Sequence, residues 1–300
     1  MAEHVQITID GKEISAEKGA NLLVTARENG IDIPSLCFLE KLSSTAACRM
    51  CIVKIEGRRG LVTACTTPVE EGLQVTAFDA EIEEYRRTTL ELHLAEHEYD
   101  CPVCDANGEC ELQDLAYRYD LGVEKNRQVL SLSMSGRDGA IRLPYDKTSP
   151  VLEYDAKKCI RCGRCVRACD EVQEKGVLGF VHRGYSTFIS PEFGAWKGSS
   201  CDGCGECVQV CPTAALLEKP LVERFRPFDI EKKVTTTCVY CGVGCQLDMW
   251  VKNNRIVRVR GADTRPNNGR LCVKGRFGYE FVHSNERLTR PLIKRNGEFF

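Results

Sequence analysis

Nineteen cysteines in 300 residues are the side chains of this sequence with the clearest potential for chemistry. They fall in short runs with two or three residues between neighbours, a spacing that directs several thiolates to one metal ion or cluster rather than into separate disulfides. Their odd number also disfavours a closed disulfide framework. Dense, reduced thiols are typical of metal and redox proteins of the cytoplasm, and we expect this location.

The most specific pattern is a doubled run, CIRCGRCVRAC and CDGCGECVQVCP, each with the spacing C-x2-C-x2-C-x3-C. It resembles the bacterial two-cluster ferredoxins, in which the fourth cysteine of each run binds the cluster of the other run. The resemblance implies two [4Fe–4S] ligand sets: Cys159, Cys162, Cys165 and Cys211, and Cys201, Cys204, Cys207 and Cys169. Gly163, Gly203 and Gly205 are expected to permit the tight loops between these ligands. Pro212 follows the second run, as in the family, whereas Asp170 follows the first.

A third set comprises Cys37, Cys48, Cys51 and Cys65. The surrounding sequence predicts a hairpin turning at Asp10-Gly11, a helix that begins after Asn21 and ends at Gly30, and two later strands joined by a tight turn. This segment resembles the β-grasp domain of plant-type ferredoxins, which implies that the four cysteines bind one [2Fe–2S] cluster. The ten-residue gap after Cys37 replaces the usual four and resembles the large subunit of complex I and the iron-only hydrogenases.

The stretch HEYDCPVCDANGEC follows a helix expected to begin near Glu81 and to carry His93 and His97 one turn apart. Its spacing, H-x3-C-x2-C-x5-C, resembles a [4Fe–4S] site of the same two families. The resemblance implies four ligands: His97, Cys101, Cys104 and Cys110. A zinc ion would accept the same residue types and remains an alternative. His93 matches no ligand position, and we interpret it as an ordinary helix histidine.

The last set lies in TTTCVYCGVGC and in NNGRLCVKGRFG, and comprises Cys238, Cys241, Cys245 and Cys272. A C-x2-C-x3-C run with a distant fourth cysteine resembles the [4Fe–4S] domain of molybdopterin oxidoreductases, most closely the catalytic subunit of cytoplasmic formate dehydrogenases. The resemblance implies that Lys274 lies between the cluster and the pterin cofactor. Between the cysteines, LDMWVKNNRIVRVRG predicts a hairpin that turns at Asn253-Asn254.

Eight Lys or Arg residues and one acid lie between Lys252 and Arg276. They form a solvated basic hairpin in one interpretation and face the pyrophosphates of a molybdopterin guanine dinucleotide in another, which the resemblance implies. A nucleic-acid surface is disfavoured because the arginines are not interleaved with aromatic residues.

The elements that must position these ligands divide into several small domains of a modular α+β protein. The predicted domains are a [2Fe–2S] ferredoxin-like domain (1–78), a histidine-ligated [4Fe–4S] domain (79–119), a linker (120–149), a two-[4Fe–4S] ferredoxin domain (150–219), a linker (220–233) and a molybdopterin-oxidoreductase [4Fe–4S] domain that is incomplete at its end (234–300). Together with His97, the cysteines would supply four ligands to each of five clusters, and none is left over.

Other features narrow the functional class. The sequence contains no G-x-G-x-x-G or Walker motif, so we do not expect the chain itself to bind NAD or a nucleotide. It has no secretion signal at its start and no apolar run of membrane-spanning length, and we expect neither membrane insertion nor a nucleic-acid partner.

The resemblance spans essentially the whole chain and implies an oxidoreductase of the formate dehydrogenase type. One [2Fe–2S] and four [4Fe–4S] clusters would relay electrons between a molybdenum or tungsten pterin site for formate or CO2 and a partner. That partner would be a flavin/NAD(P)-binding iron–sulfur subunit, a ferredoxin or a hydrogenase subunit. In the family the residues that bind Mo or W lie downstream of Phe300, so we predict no catalytic residue here.

Two readings of the chain remain. The chain is either the front piece of a longer enzyme or a stand-alone electron-transfer subunit of a hydrogenase or complex I-like NADH dehydrogenase. We prefer the first interpretation because KRNGEFF has no terminal cap.

Overall fold

The computed structural model describes residues 3–122 and 143–299, so part of the predicted 120–149 linker lies outside the described residues. The described helices are Leu22–Glu28 (α1), Ala80–Ala95 (α2), Glu111–Arg118 (α3), Arg164–Arg167 (α4), Glu206–Gln209 (α5) and Val273–Phe277 (α6). The chain separates into two compact units. The first unit comprises Met1–Cys201 with Glu206–Glu218, and the second comprises Asp202–Gly205 with Lys219–Phe300.

Fifteen strands accompany these helices in the described residues. Those of the first unit are His4–Ile9 (β1), Lys12–Glu17 (β2), Ile52–Ile55 (β3), Val62–Thr63 (β4), Gln74–Thr76 (β5), Tyr145–Asp146 (β6), Leu152–Asp155 (β7), Leu178–Val181 (β8), Phe188–Pro191 (β9) and Leu216–Glu218 (β10). Those of the second unit are Lys232–Thr237 (β11), Gln246–Lys252 (β12), Arg255–Gly261 (β13), Lys294–Arg295 (β14) and Glu298–Phe299 (β15).

The first unit begins with a mixed sheet of order β2-β1-β5-β3-β4. The predicted hairpin is present, and its turn residues Asp10 and Gly11 have φ angles of 48° and 79°, which a type I′ turn requires. β5 lies parallel to β1 and antiparallel to β3. The predicted tight turn between β3 and β4 is wrong, because residues 56–61 form a longer connection that turns at two glycines with positive φ.

Helix α1 packs its buried face against this sheet. Asn21 caps it as predicted: the side-chain oxygen accepts hydrogen bonds from the backbone N–H groups of Leu23 and Val24, two of the donors that a helix start leaves without intrahelical partners. The apolar core between helix and sheet includes Ile9 and Leu22, both with no exposed surface.

Helix α2 begins after Asp79, whose carboxylate accepts from the N–H of Ile82. It ends at Ala95, so the expectation that α2 carries His97 is wrong. The N–H of His97 bonds to the Leu94 carbonyl in a tighter turn, and the next N–H, of Glu98, donates to the Lys157 carbonyl. The chain therefore leaves the helix before His97 because its backbone finds partners outside the helix.

The remainder of the first unit holds the three-stranded sheet β10-β7-β6 and the hairpin β8-β9. β6 lies inside the segment predicted as a linker. The core of this part joins Leu152, Tyr154 and Leu216 to several cysteines.

The second unit contains the antiparallel sheet β11-β12-β13 and the short hairpin β14-β15. The predicted hairpin turn is confirmed: Asn253 and Asn254 have φ angles of 48° and 56° between β12 and β13. Leu247, Val259 and Leu271 form the centre of its core. In both units, no described helix has the length and apolar character needed to cross a membrane.

Candidate metal centres

The first unit brings together Cys37, Cys48, Cys51 and Cys65, which lie in the loop before β3 and the turn after β4. Each is no more than 2% exposed. The thiol of Cys37 is hydrogen-bonded to the thiols of Cys48 and Cys65, and Cys65 also meets Cys51. The four predicted [2Fe–2S] ligands thus share one buried site lined by sulfur.

Crowding shifts the pKa values of these thiols in opposite directions. Hydrogen bonds from Cys48 and Cys65 lower the pKa of Cys37 to about 2. The pKa of Cys65 is raised because its thiol is hydrogen-bonded to Cys37 and Cys51 and because it is buried. Neighbouring S–H groups stabilise one thiolate, whereas four thiolates in this space would require positive charge between them. The donor set therefore fits an iron–sulfur cluster.

Backbone and helix contacts fix this site. The N–H of Leu36 donates to the Cys48 sulfur at 3.3 Å, and His93 Nε2 lies 3.1 Å from the Cys48 carbonyl oxygen. His93, interpreted from the sequence as an ordinary helix histidine, thus connects α2 to a ligand loop. The two partners are 45 positions apart in the sequence, which explains why no local pattern indicates this contact.

The histidine-containing set lies between α2 and α3. Cys101 begins a short 3-10 turn, Cys104 follows that turn, and Cys110 precedes α3. His97 is 7% exposed. Its ring is hydrogen-bonded to the Lys158 backbone, while its Nδ1 atom is buried without a hydrogen-bond partner among the described residues. Metal-bound histidines commonly hold a carbonyl through the second ring nitrogen in this way.

Protonation states at this set also suit metal binding. Burial lowers the pKa of His97 to about 4, so the ring is neutral and offers a lone pair. Burial raises the pKa of the Cys110 thiol to about 12, a cost that binding of a cation would offset. Within residues 3–122 and 143–299, no three His, Cys, Asp or Glu side chains are placed so that they could hold one metal ion. The fit rests on donor chemistry, which zinc would share.

A lysine that the sequence analysis missed lies beside this set. Lys158 is 8% exposed, and its ammonium is 2.6 Å from Asp100 Oδ2 and 3.8 Å from the Cys104 sulfur. Burial alone would lower the pKa of Lys158, but the hydrogen bond to Asp100 and the charge of Cys104 raise it above its ordinary value. The amine is therefore charged. Its position directly before Cys159 is the only signal that the sequence carries for it.

The first ferredoxin-type set is assembled within one pocket. Cys159, Cys162, Cys165 and Cys211 all line it, together with apolar side chains of Ile160 and Ile189. Burial raises the pKa values of Cys159 and Cys162 to about 11 and about 12. The N–H of Arg161 donates to the Cys159 sulfur at 3.4 Å. A pocket lined by four sulfurs, three of them from one tight loop, fits a [4Fe–4S] cluster.

The second ferredoxin-type set is divided between the two units. Cys169, Cys201 and Cys207 pack in the same core as the first set, whereas Cys204 belongs to the short segment Asp202–Gly205 of the second unit. The predicted glycine conformations are present: φ is 70° at Gly203 and 76° at Gly205.

Two buried arginines of α4 join the ligand loops of the first unit. Arg167 Nη2 donates to the Cys37 carbonyl at 2.7 Å and to the Cys162 carbonyl at 3.2 Å. Arg164 Nη2 donates to the Phe38 carbonyl at 3.1 Å and to Glu111 Oε2 at 2.8 Å. Both arginines stand inside the cysteine run, but most of these partners lie more than fifty residues away, beyond any local pattern.

The last set lies in the second unit. Cys238 follows β11 directly, its N–H donates to the Cys245 carbonyl at 2.7 Å, and Cys272 precedes α6. Cys241 and Cys272 are exposed. The pKa of Cys245 is raised by burial and by the charges of Cys238, Cys241 and Cys272.

The eight Lys and Arg residues between Lys252 and Arg276 do not form one surface. Arg258 is buried over the rings of Phe225 and Trp250, at 4.6 and 5.1 Å. Arg276 is 2% exposed and donates to the Cys204 carbonyl. Lys252 pairs with acidic residues. Neither a wholly solvated hairpin nor a single phosphate-binding face describes the whole group, and Lys274 is among its exposed members.

Four family models match successive parts of the chain. They are the 2Fe-2S iron-sulfur cluster binding domain (residues 2–79), the NADH-ubiquinone oxidoreductase-G iron-sulfur binding region (86–127), the ferredoxin-like domain of NADH-quinone oxidoreductase subunit 3 (149–217) and the molybdopterin oxidoreductase Fe4S4 domain (231–284). These domains support one [2Fe–2S] cluster and several [4Fe–4S] clusters, and they confirm the predicted α+β class.

Known proteins resemble the chain over nearly its whole length. An NADH-quinone oxidoreductase subunit of Rhizobium meliloti is 40% identical over 98% of the chain, and the NADPH-Fe(3+) oxidoreductase alpha subunit of Geobacter sulfurreducens is 40% identical over 97%. A Staphylococcus aureus protein named provisionally as a formate dehydrogenase is 30% identical over 100%. The chain spans about a third (33%) of the length of each of these relatives.

A solved structure also matches. It is that of an NAD+-reducing [NiFe]-hydrogenase in the H2-reduced state, with a TM-score of 0.63 and 28% sequence identity, covering 72% of this chain and 87% of the hydrogenase chain.

Proposed function

We propose a function from the premise that this chain corresponds to the iron–sulfur portion of molybdopterin oxidoreductase-type subunits, similar to those of hydrogenases and complex I. Its function is to conduct electrons within a cytoplasmic oxidoreductase of the formate dehydrogenase type. One end of the route is a molybdenum or tungsten pterin site where formate and CO2 are interconverted. The other is a flavin/NAD(P)-binding subunit, a ferredoxin or a hydrogenase subunit.

The observation that carries this proposal is the complete use of the cysteines in five ligand sets. The proposed ligands are Cys37, Cys48, Cys51 and Cys65 for one [2Fe–2S] cluster, and four [4Fe–4S] sets: His97 with Cys101, Cys104 and Cys110; Cys159, Cys162, Cys165 and Cys211; Cys201, Cys204, Cys207 and Cys169; and Cys238, Cys241, Cys245 and Cys272. Such clusters supply one-electron transfer with little rearrangement. The chain itself supplies thiolates and N–H donors and, at the [2Fe–2S] set, a buried setting.

Contacts in the first unit support a particular order of the sets. Arg167 hydrogen-bonds to the backbone of a [2Fe–2S] ligand, Cys37, and of a ferredoxin-type ligand, Cys162. On another side, the Thr213 hydroxyl lies 3.7 Å from the Cys211 sulfur and donates to the Lys158 carbonyl at 2.9 Å. We place the Cys159 set between the [2Fe–2S] set and the His97 set, since Arg167 links it to the first, and Thr213 and Lys158 link it to the second.

The site of formate chemistry would be completed by other residues. We assign Lys274 as the residue facing the pterin, because it is exposed on α6 two positions after Cys272, and Cys272 is exposed as well. This open side of the last ligand set gives a molybdopterin guanine dinucleotide with Mo or W room to approach.

A second candidate is an electron-transfer subunit of an NADH-linked assembly without formate chemistry. The 40% identity to a subunit named as NADH-quinone oxidoreductase, against 30% for the protein named as a formate dehydrogenase, favours it. Both candidates use the same ligand sets and differ in the electron donor.

Metal content tests the ligand sets. Protein prepared without oxygen should contain about eighteen irons per chain, the total for one two-iron and four four-iron clusters. A preparation rich in zinc and nearly free of iron would exclude the proposal.

The electron donor is tested on the native assembly isolated from its source cells. Formate should bleach the cluster absorbance of an assembly that contains molybdenum or tungsten. Bleaching by NADH but not by formate, without either metal, would favour the second candidate.

A further inference from the structure

The buried ammonium group of Lys158 lies beside the His97 ligand set, although Lys158 is not one of the four ligands. Lys158 Nζ lies 3.8 Å from the Cys104 sulfur and 2.6 Å from Asp100 Oδ2. The side chain of Lys158 is 10% exposed, and that of Asp100 is 33% exposed. Water therefore screens the ammonium poorly on the side that faces the sulfur.

The backbone of Lys158 is anchored on two sides. Its carbonyl accepts from the Thr213 hydroxyl at 2.9 Å, and the preceding carbonyl, of Lys157, accepts from the Glu98 N–H at 3.1 Å. The ring of His97 is also hydrogen-bonded to the Lys158 backbone. The position of the ammonium is therefore set by the fold and not by a flexible surface loop.

The neighbouring lysine offers a sharp contrast. Lys157 is 47% exposed at its side chain and pairs with Glu98 at 3.6 Å on the surface. It carries the same charge one residue away, but its contact is with solvent and a surface acid. Of these two lysines, only Lys158 is placed to act on the charge at Cys104.

We propose that Lys158 sets the reduction potential of the cluster held by His97, Cys101, Cys104 and Cys110, raising it by placing a fixed positive charge and an N–H donor against the Cys104 thiolate. Reduction adds one negative charge to the cluster, and a cation at this distance stabilises the reduced form more than the oxidised form. Hydrogen bonds to cluster sulfurs act in the same direction. Asp100 moderates the effect, since its carboxylate offsets part of the ammonium charge.

This inference rests on the proposed assignment of an iron–sulfur cluster to the His97 set, and the experiment separates the two. The full 300-residue chain is prepared anaerobically as wild type and as Lys158→Met, Lys158→Arg, Lys157→Met and Asp100→Asn. Each is titrated with dithionite at controlled potentials and followed by electron paramagnetic resonance. The cluster is identified by the hyperfine coupling of its histidine nitrogen, which cysteine-only clusters lack.

Lys158→Met should lower the equilibrium constant for reduction of this cluster about tenfold, which corresponds to about 59 mV for one electron. Lys158→Arg keeps the positive charge and should retain most of the wild-type potential. Lys157→Met should leave the potential unchanged. Asp100→Asn should shift the potential in the opposite, positive direction. If Lys158→Met loses the cluster by misfolding, Asp100→Asn still decides the sign of the effect, because it removes the counter-charge and keeps the ammonium.

The proposal is overturned if Lys158→Met keeps the wild-type potential, or if Lys157→Met shifts it as far as Lys158→Met. If Lys158→Met holds no cluster, a wild-type potential in Asp100→Asn overturns it. A wild-type protein with zinc at this set and no histidine-coupled signal would contradict the cluster assignment itself, and the inference about Lys158 would fall with it. That outcome is recognised before any variant is compared.

Discussion

The two units of this molecule place their ligand sets in different surroundings. In the first unit the [2Fe–2S] cysteines are no more than 2% exposed, and buried basic side chains contact the loops that carry the ligands. In the second unit Cys241 and Cys272 are open to solvent, and exposed apolar side chains, Val239 and Val243, stand on either side of Cys241 in the sequence.

The difference indicates two structural roles for cysteine. A buried thiolate requires compensating donors and cations from distant parts of the chain, so ligand binding and core packing depend on the same residues. An exposed ligand such as Cys241 depends mainly on its local loop and remains accessible to another surface. We therefore expect changes in the first unit to affect stability and cluster content together, and those at the open set to separate these effects.

The largest expected effect is the loss of a buried ligand. Cys165→Ser should remove about four irons and lower the stability of the first unit by about 3 kcal/mol or more, because Cys165 lies in the apolar core and the cluster itself contributes folding free energy. Iron analysis and a thermal melt measured without oxygen test both effects. The matched variant Cys241→Ser, at an exposed ligand, should lose a similar amount of iron with a much smaller change in Tm. Equal changes in Tm would remove the distinction between the units.

Next in size is the removal of the guanidinium that holds two ligand loops. Arg167→Met leaves the carbonyls of Cys37 and Cys162 without this donor inside the protein, and we expect a cost of about 3 kcal/mol. Denaturant unfolding of the cluster-loaded protein measures it. The exposed Arg59 gives the control, since Arg59→Met should change stability by less than about 0.5 kcal/mol. A neutral result for Arg167→Met would mean that the loops are held by other contacts.

A smaller effect is expected from Gly205→Ala, which tests whether the second unit also contains a tightly packed position close to a ligand. Gly205 has a φ of 76°, and an added Cβ would clash with Arg276 Cδ and lie 2.8 Å from Phe277 Cζ. Gly205→Ala should destabilise this unit by about 2 kcal/mol. Gly242→Ala is the control in the open cysteine loop, because an added Cβ there has no described neighbour within 4 Å. If both variants unfold alike, packing around Arg276 does not stabilise the unit.

Local features of the fold could be predicted from the sequence because a few adjacent residues determine them. Asp10-Gly11 and Asn253-Asn254 turn hairpins by their own φ preferences, and Asn21 caps a helix through bonds to the next residues. The end of α2 could not be predicted, since the Glu98 N–H finds its partner at Lys157, far along the chain.

The candidate sites also contain some features that the sequence could predict and others that it could not. The grouping of cysteines followed from their spacing, and the structure brings together the [2Fe–2S] set and the first ferredoxin-type set as expected. The roles of Arg167 and Lys158 could not be predicted, because their partners lie 130 and 54 residues away in sequence. Hydrophobic and cysteine patterns carry no information about which loops a buried cation will contact.

The smallest predicted effect concerns a residue where local and distant determinants meet. The Asn21 side chain caps α1 and also donates to the carbonyl of the ligand Cys65 at 2.6 Å. Asn21→Ala should cost about 1 kcal/mol through the cap. Asn21→Asp keeps the capping oxygen but removes the amide donor, so it should recover the helix while leaving the Cys65 carbonyl unpaired. Denaturant unfolding measures the first effect, and the [2Fe–2S] potential measures the second. Full recovery of both properties by aspartate would show that the ligand loop does not depend on Asn21, and that burial alone fixes this site.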